Sequence, residues 1–490
     1  MVYGLSTILG RLLNVLLVPL YTYQFEPTAY GRVSMVFTLL AFVQVVCLLG
    51  LETAFFRETE HSGKPQETLG RTLAMVLPAS SLMAVVLLFL APYWAAHWLD
   101  GAQHADLIRW AAVIMWLDAL AALPFAYLRQ QNKSLRFASI KLTNIGMNVG
   151  ANLLLLVGLP ALFQQQTPPW LVALGYHAEP SVVYIFWANA LASGISLALL
   201  LPQWHIRWSG LKISYLIPVL RYSLSLVGVG LAAMANETLD RFLLRRWLDG
   251  APETRMAAIG IYSACYKFSI FMTLVVQSFR YAAEPFFFAQ AHREDARGTY
   301  ALIMRMFVVV GGFIVLLVSF SLDLLKWAID ETYHDGIDVV PILLIANLFL
   351  GIYYNLSVWY KVSGRTSWGA LVAIAGVLIT LGANAVSIPW LGFRGAAWAT
   401  LLCYSGMSVL SLLLSRRFYP IPYALSRIGS YLLVISALTT LGWWIRHHWI
   451  GAIDAWSMLA LIVLVLSYLL IAYAAEKPIF DHMLKKLFKT

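Results

Sequence analysis

Residues 34–56 read SMVFTLLAFVQVVCLLGLETAFF, a continuous apolar run whose single charged residue, Glu52, lies near its end. A helix needs about 20 mainly apolar residues to cross a hydrocarbon core of roughly 30 Å. A run this long and unbroken is a membrane helix, because lipid admits only helices or closed barrels and barrel strands alternate over about ten residues. Working outward, fourteen such runs follow one another between residues 2 and 474. Over the 490 residues, 60% are apolar and only 12% charged. Charges that sparse cannot cover a water-soluble protein of this size, so the chain reads as an all-α polytopic membrane protein. The first run lacks the basic leader and small-residue cleavage site of a secretory signal and is read as a membrane helix.

The distribution of Lys and Arg orients the spans. With both termini on the cytoplasmic side, the inner segments carry well over twice the basic residues of the outer ones. The acids lean outward, with Asp323, Asp330, Glu331, Asp335 and Asp338 in one outer loop. The net charge of +10 is therefore membrane bias, and no nucleic-acid partner is expected. No connection is long enough to hold a soluble domain. There is no GxxxxGK[ST] phosphate loop and no HExxH zinc motif, and the three cysteines, Cys47, Cys265 and Cys403, all lie in apolar runs. The chain is expected to be no enzyme, to hold no metal or cofactor, and to work inside its own helix bundle.

Polar groups at membrane depth are costly and mark the candidate site. Arg11 and Asn14 share a face of the first span, Arg11 roughly 15 Å in from Met1. Asn144, Asn148 and Asn152 recur every four residues and form one stripe down a helix. That stripe is either the wall of a wet cavity or interhelical hydrogen-bond glue. Asn347, Asn355 and Lys361 pose the same choice, and Lys267 lies mid-span. These residues form the expected substrate cavity. Glu52, Arg57, Asp118, Glu237, Asp240, Arg241 and Glu284 are the candidates for coupling or gating. Asp118 either neutralises a lysine or carries a coupling proton. Glu237 and Arg241 form an i,i+4 pair, as a helix cap or as a gate. Aromatic residues, many at span ends, fit interfacial anchoring, with stacking on sugar rings as the other use.

A weak repeat divides the chain. Ala29-Tyr30-Gly31-Arg32-Val33-Ser34 is echoed 229 residues later by Ala258-Ile259-Gly260-Ile261-Tyr262-Ser263. Tyr3-Gly4-Leu5-Ser6 is echoed at a similar interval by Tyr222-Ser223-Leu224-Ser225. Six helices between copies imply two parallel lobes about an axis along the membrane normal. The expected organisation is an N-terminal lobe at 1–205, a C-terminal lobe at 206–420, and two extra helices with a basic tail at 421–490.

Several of these stretches resemble a known family. Tyr3 to Arg11, Val18-Pro19-Leu20-Tyr21, Glu26-Pro27-Thr28-Ala29-Tyr30-Gly31, and Gly50-Leu51-Glu52-Thr53-Ala54-Phe55-Phe56-Arg57 resemble polysaccharide flippases of the multidrug/oligosaccharidyl-lipid/polysaccharide exporter superfamily, as do Asp240-Arg241 and Gly260-Ile261-Tyr262 with Lys267. The resemblance implies a bacterial inner-membrane protein of 12–14 helices. It would move undecaprenyl-pyrophosphate-linked oligosaccharide from the cytoplasmic to the periplasmic leaflet for lipopolysaccharide or other polysaccharide biosynthesis. Arg11 and Lys267 would meet the pyrophosphate. A proton or sodium gradient would drive the cycle, the protein would act as a monomer, and polysaccharide polymerase machinery would be a partner beside lipid and lipid-linked glycan. The alternatives are a drug or cation antiporter of the same superfamily and a peptidoglycan lipid-precursor flippase.

Overall fold

The computed structural model describes residues 2–163, 167–204, 206, 213–291, 293–448 and 455–487, with side chains from residue 8 onward except those of 11, 14, 213–214, 447–448, 455–458 and 478–487. All regular structure among them is helical. The long helices are α1 (Val2–Gln24), α2 (Pro27–Leu48), α3 (Leu51–Ser62), α4 (Pro65–Phe89), α5 (Ala105–Gln130), α6 (Ser134–Leu153), α7 (Val183–Leu200) and α8 (Ile213–Trp247). They continue as α9 (Pro252–Tyr266), α10 (Ile270–Gln290), α11 (Ala296–Phe320), α12 (Val339–Leu356), α13 (Ser367–Leu391), α14 (Phe393–Phe418), α15 (Leu425–His448) and α16 (Ala455–Leu487). Among the described residues, 13 helical stretches are long and apolar enough to cross a membrane. The run expected at 2–22 is α1, which is described only in part.

Several spans are interrupted midway. Leu49 and Gly50 take left-handed φ values of 50° and 67° between α2 and α3. A π-helical turn, Leu154–Gly158, follows α6, and a 3-10 turn, Lys267–Ser269, joins α9 to α10. Such irregular turns inside a span need neighbouring protein to satisfy their backbone and often mark functional sites.

The chain forms two compact units, Met1–Ala264 with Thr380–Ala396, and Cys265–Ile379 with Ala397–Thr490. In the first unit α5 is central and packs against α2, α4, α6 and α7. Its buried side chains include Ala111, Ala112, Ala119, Ala121 and Ala126. Small residues let membrane helices approach closely, which is how they associate without a hydrophobic driving force.

The same unit contains a reciprocal crossing of α2 and α9. A Cβ placed on Gly31 would lie 2.0 Å from the Met256 carbonyl oxygen, and one on Gly260 would lie 1.9 Å from that of Pro27. Each glycine thus faces the residue four positions before the other glycine. One turn on, Ser34 Oγ donates to Ser263 Oγ at 2.6 Å. Both helices begin with proline, whose fixed φ suits a first turn.

In the second unit α11 is central, against α10, α12, α15 and α16. Gly311 and Gly312 admit Leu348 and Tyr468 to its surface, and Tyr468 Oη donates to the Val309 carbonyl at 2.9 Å. At the same helix Arg305 Nε lies 3.0 Å from the fully buried Glu476 carboxylate, which also accepts from Tyr431 Oη at 3.0 Å.

Candidate functional site: a polar cavity in the first unit

A cavity of about 460 Å³ opens within the first unit between α2, α3, α5, α6 and α7. Ligand pockets commonly occupy about 300–1,000 Å³. Its wall carries four charged groups, Glu52, Asp118, Arg129 and Lys141, with Asn144, Asn148, Asn189, Ser193 and Ser196.

Helical spacing explains why these groups converge. Lys141, Asn144 and Asn148 lie three and four residues apart and so share one face of α6. Asn189, Ser193 and Ser196 repeat that spacing on α7. The two stripes bond to each other: Asn144 Nδ2 donates to Ser196 Oγ at 2.9 Å, and Asn148 Nδ2 to Asn189 Oδ1 at 2.8 Å. Asn152 closes the ladder, donating to Asn148 Oδ1 at 2.7 Å and accepting from Tyr21 Oη of α1 at 3.0 Å. Asn152 is fully buried, whereas Asn144 is only half-buried at the cavity. The stripe is thus tied to neighbouring helices along its length and faces the cavity at its Asn144 end.

The charges form two opposed pairs. Glu52 and Arg129 are in direct ion-pair contact, both half-exposed, with the Arg129 guanidinium 5.2 Å from the Phe56 ring centroid. Deeper in, Ser193 and Lys141 both face the Asp118 carboxylate. Lys141 Nζ stands 4.4 Å above the Phe125 ring, which meets Phe137 edge-on at 5.2 Å. Asp118 is exposed to the cavity although protein surrounds it. The arrangement offers amides and hydroxyls for sugar hydroxyls, aromatic faces, and two cations for an anionic group.

Glu52, Asp118, Asn144 and Asn148 therefore meet in one cavity, and Asn152 supports it. The side chains of Arg11 and Asn14 lie outside the described residues. Arg57 rests 4.2 Å over the Tyr222 ring. Asp240 and Arg241 form a buried ion pair at 2.9 Å, and Tyr262 Oη donates to the other Asp240 oxygen at 2.6 Å. Glu237 is exposed, and its carbonyl accepts from Arg241 Nη1 at 3.4 Å. In the second unit Lys267 is exposed at the 3-10 turn, and Lys361 pairs with Glu284 at 2.6 Å. Asn347 and Asn355 donate to carbonyls of their own helix, Leu343 and Gly351.

Arg129 and Lys141 lie near the ends of their apolar runs, where sequence alone reads a basic residue as part of an inner loop. The signal that finds Lys141 is its place three residues before Asn144, on the face of the stripe.

Residues 1–290 match the family model described as polysaccharide biosynthesis protein. The chain belongs to this family. No curated protein matches its sequence. Solved structures share the fold of this chain at low identity. The lipid II flippase MurJ, in an inward closed conformation, superposes with a TM-score of 0.66 at 12% identity, over 98% of either chain. An inward-facing multidrug resistance MATE family transporter of the MOP superfamily gives 0.59 at 13%, over 86% of this chain and 95% of that one. A MATE transporter of Vibrio cholerae, in a single-site variant, gives 0.57 at 15%, over 85% and 94%. The chain is thus a multi-pass membrane protein with the fold that these structures share.

Proposed function

We propose that this member of the family is a flippase. It carries undecaprenyl-pyrophosphate-linked oligosaccharide from the cytoplasmic to the periplasmic leaflet of the bacterial inner membrane, for lipopolysaccharide or another surface polysaccharide. The observation that carries the reading is the polar cavity, which sets amides, hydroxyls, aromatic faces and two cations inside a bundle of membrane-spanning helices. A charged, hydrated head cannot enter hydrocarbon without a very large desolvation cost. A wet cavity replaces the lost water, while the polyprenyl tail stays in lipid.

In this reading Arg129 and Lys141 join Arg11 and Lys267 as groups that meet the pyrophosphate. The Asn ladder takes the glycan, and Asp118 is the coupling group for a proton or sodium gradient. No bond is made or broken. Fourteen helices with both termini cytoplasmic form lobes at 1–205 and 206–420 with two extra helices after 420, working as a monomer beside polysaccharide polymerase machinery. The reciprocal contact of Ser34 with Ser263 supports the lobe symmetry. Alternating access then exposes the cavity to each side in turn.

The acids Glu52 and Asp118 in the same cavity favour, as second reading, a drug or cation antiporter. The test measures lipid-linked oligosaccharide in membranes of a deletion strain, by amount and by exposed leaflet. Cytoplasmic accumulation, reversed by the intact gene and not by Arg129→Gln or Lys141→Gln, is expected. Normal amounts and leaflet distribution, with no redundant transporter, would remove the glycan reading and favour the antiporter.

A further inference from the structure

At one end of the second unit, three arginines rest on aromatic rings instead of carboxylates. Arg365 and Arg417 place their guanidinium carbons 4.9 Å and 5.6 Å from the Phe418 ring centroid, and Arg297 lies 4.7 Å from that of Tyr419. All three are exposed. Among the described residues none of them forms an ion pair, and neither do the neighbouring acids Glu294 and Asp295. The contrast with Arg305, Lys361 and Arg446, which all hold carboxylates in the same unit, is plain.

The rings beneath are fixed. Phe418 stacks on the fully buried Trp359 at 6.1 Å and 16°, and meets Trp368 at a tilt of 37° and 4.9 Å. The Arg365 amide donates to the Tyr360 carbonyl at 2.8 Å, and that of Tyr419 to Ser415 at 2.8 Å. A guanidinium stacked on a ring uses its face and leaves its N–H edge free. That edge matches a phosphate oxygen pair. The aromatic bed also holds the side chains in place, so little rotamer freedom is lost on binding.

We infer that Arg297, Arg365 and Arg417 form a docking surface for anionic phospholipid headgroups. Charge complementarity identifies the occupant: three phosphate-matched cations without counter-charge at the ends of membrane-spanning helices, over a Trp, Tyr and Phe cluster of the kind that lies at headgroup level. The patch shares no residue with the polar cavity, and the inference does not depend on the cargo.

The test uses the full-length protein in nanodiscs holding equal amounts of phosphatidylglycerol and phosphatidylethanolamine, with the lipids that survive delipidation counted by native mass spectrometry. The protein should retain phosphatidylglycerol in clear excess. Each arginine contributes roughly fivefold, so the triple variant Arg297→Gln, Arg365→Gln, Arg417→Gln should retain the two lipids equally. The Arg→Lys triple keeps charge and loses the fork, and should fall between them. It also serves if the Gln triple fails to fold. Arg109→Gln, which removes an exposed arginine paired with Asp106, should change nothing. Equal retention by the wild type, or an excess unchanged in the Gln or Lys triple, would overturn the inference. Displacement of phosphatidylglycerol by a small fraction of undecaprenyl pyrophosphate would also overturn it, assigning the surface to the isoprenoid carrier.

Discussion

Ser34 and Ser263 share a 2.6 Å hydrogen bond and stand 229 residues apart, the interval that separates the two Gly-containing repeats in sequence. Equivalent residues of two copies touch only at the axis that relates them. Gly31 and Gly260, one turn away, approach each other's helix in the same reciprocal way. The crossing of α2 and α9 is therefore a reciprocal seam between the two Gly-containing segments.

If the repeats separate during transport, a covalent bond at the seam must stop it. Ser34→Cys with Ser263→Cys, in a background lacking the three buried native cysteines, should oxidise readily, because the hydroxyls already touch. Glycan translocation in cells should cease on oxidation and return on reduction. Full transport by fully cross-linked protein would show that the seam stays shut throughout the cycle.

Gly31→Ala and Gly260→Ala force a methyl against backbone, which has no rotamer to yield. Each should destabilise the protein by about 1–3 kcal/mol, the usual cost of overpacking, read as a lower melting temperature in detergent. Gly146→Ala is the control. Its added Cβ meets nothing within 4 Å, so it should be neutral or gain up to about 1 kcal/mol of helix propensity.

The spans were legible because an apolar run of this length has one physical meaning. The likeness of the two Gly-containing segments was legible; their contact was not, since sequence carries resemblance and not distance. The Asn stripe announced a polar face on α6, but hydropathy does not say which helix bonds to it. Lys141 escaped because charge counting assigns a lysine near a run's edge to the loop. The helix starts at Ser134, which carries Lys141 about two turns inside. Glu476 escaped likewise: α16 runs to Leu487, past the end of the apolar run at 474.

Cavity charges should separate function from stability. Glu52 and Arg129 are half-exposed, so Arg129→Gln should cost no more than about 1 kcal/mol of folding stability. A charge-assisted hydrogen bond to a phosphate contributes about 1.5–3 kcal/mol. Arg129→Gln should therefore lower glycan flipping about tenfold or more with little change in melting temperature, and Lys141→Gln should lower flipping likewise. Equal losses in stability and flipping would reduce both residues to scaffold.

Asp330 caps the 3-10 turn Glu331–Gly336, accepting from the Thr332 amide at 3.0 Å and its hydroxyl at 2.7 Å. These bonds hold its carboxyl below the usual carboxylate range. A depressed folded pKa stabilises the turn above the unfolded value, and that contribution is lost as pH falls through the folded one. Hydrogen exchange of the 329–338 segment, corrected for intrinsic rate, should rise only under strongly acidic conditions. In Asp330→Ala it should be high and independent of pH. A wild-type rise beginning near neutral pH would remove Asp330 as the cause.

Glu476 ties α16 to α11 and α15 from a site with no solvent access. Arg305 and Tyr431 share one carboxylate oxygen, Oε1, while Arg427 reaches it only at 4.0 Å from a half-exposed position. Removing one partner of a buried pair leaves an uncompensated charge, at a cost of about 3–5 kcal/mol. Glu476→Gln should fall at the low end, because Arg305 keeps some solvent contact and Tyr431 keeps an acceptor. The loss should appear as a lower melting temperature and faster proteolysis in the 419–424 connection before α15. Replacing both partners, Glu476→Met with Arg305→Met, removes the orphaned charge and should recover most of it. If the double variant melts as low as the single one, packing of the carboxylate against α11 holds the last two helices, and the charge pair does not.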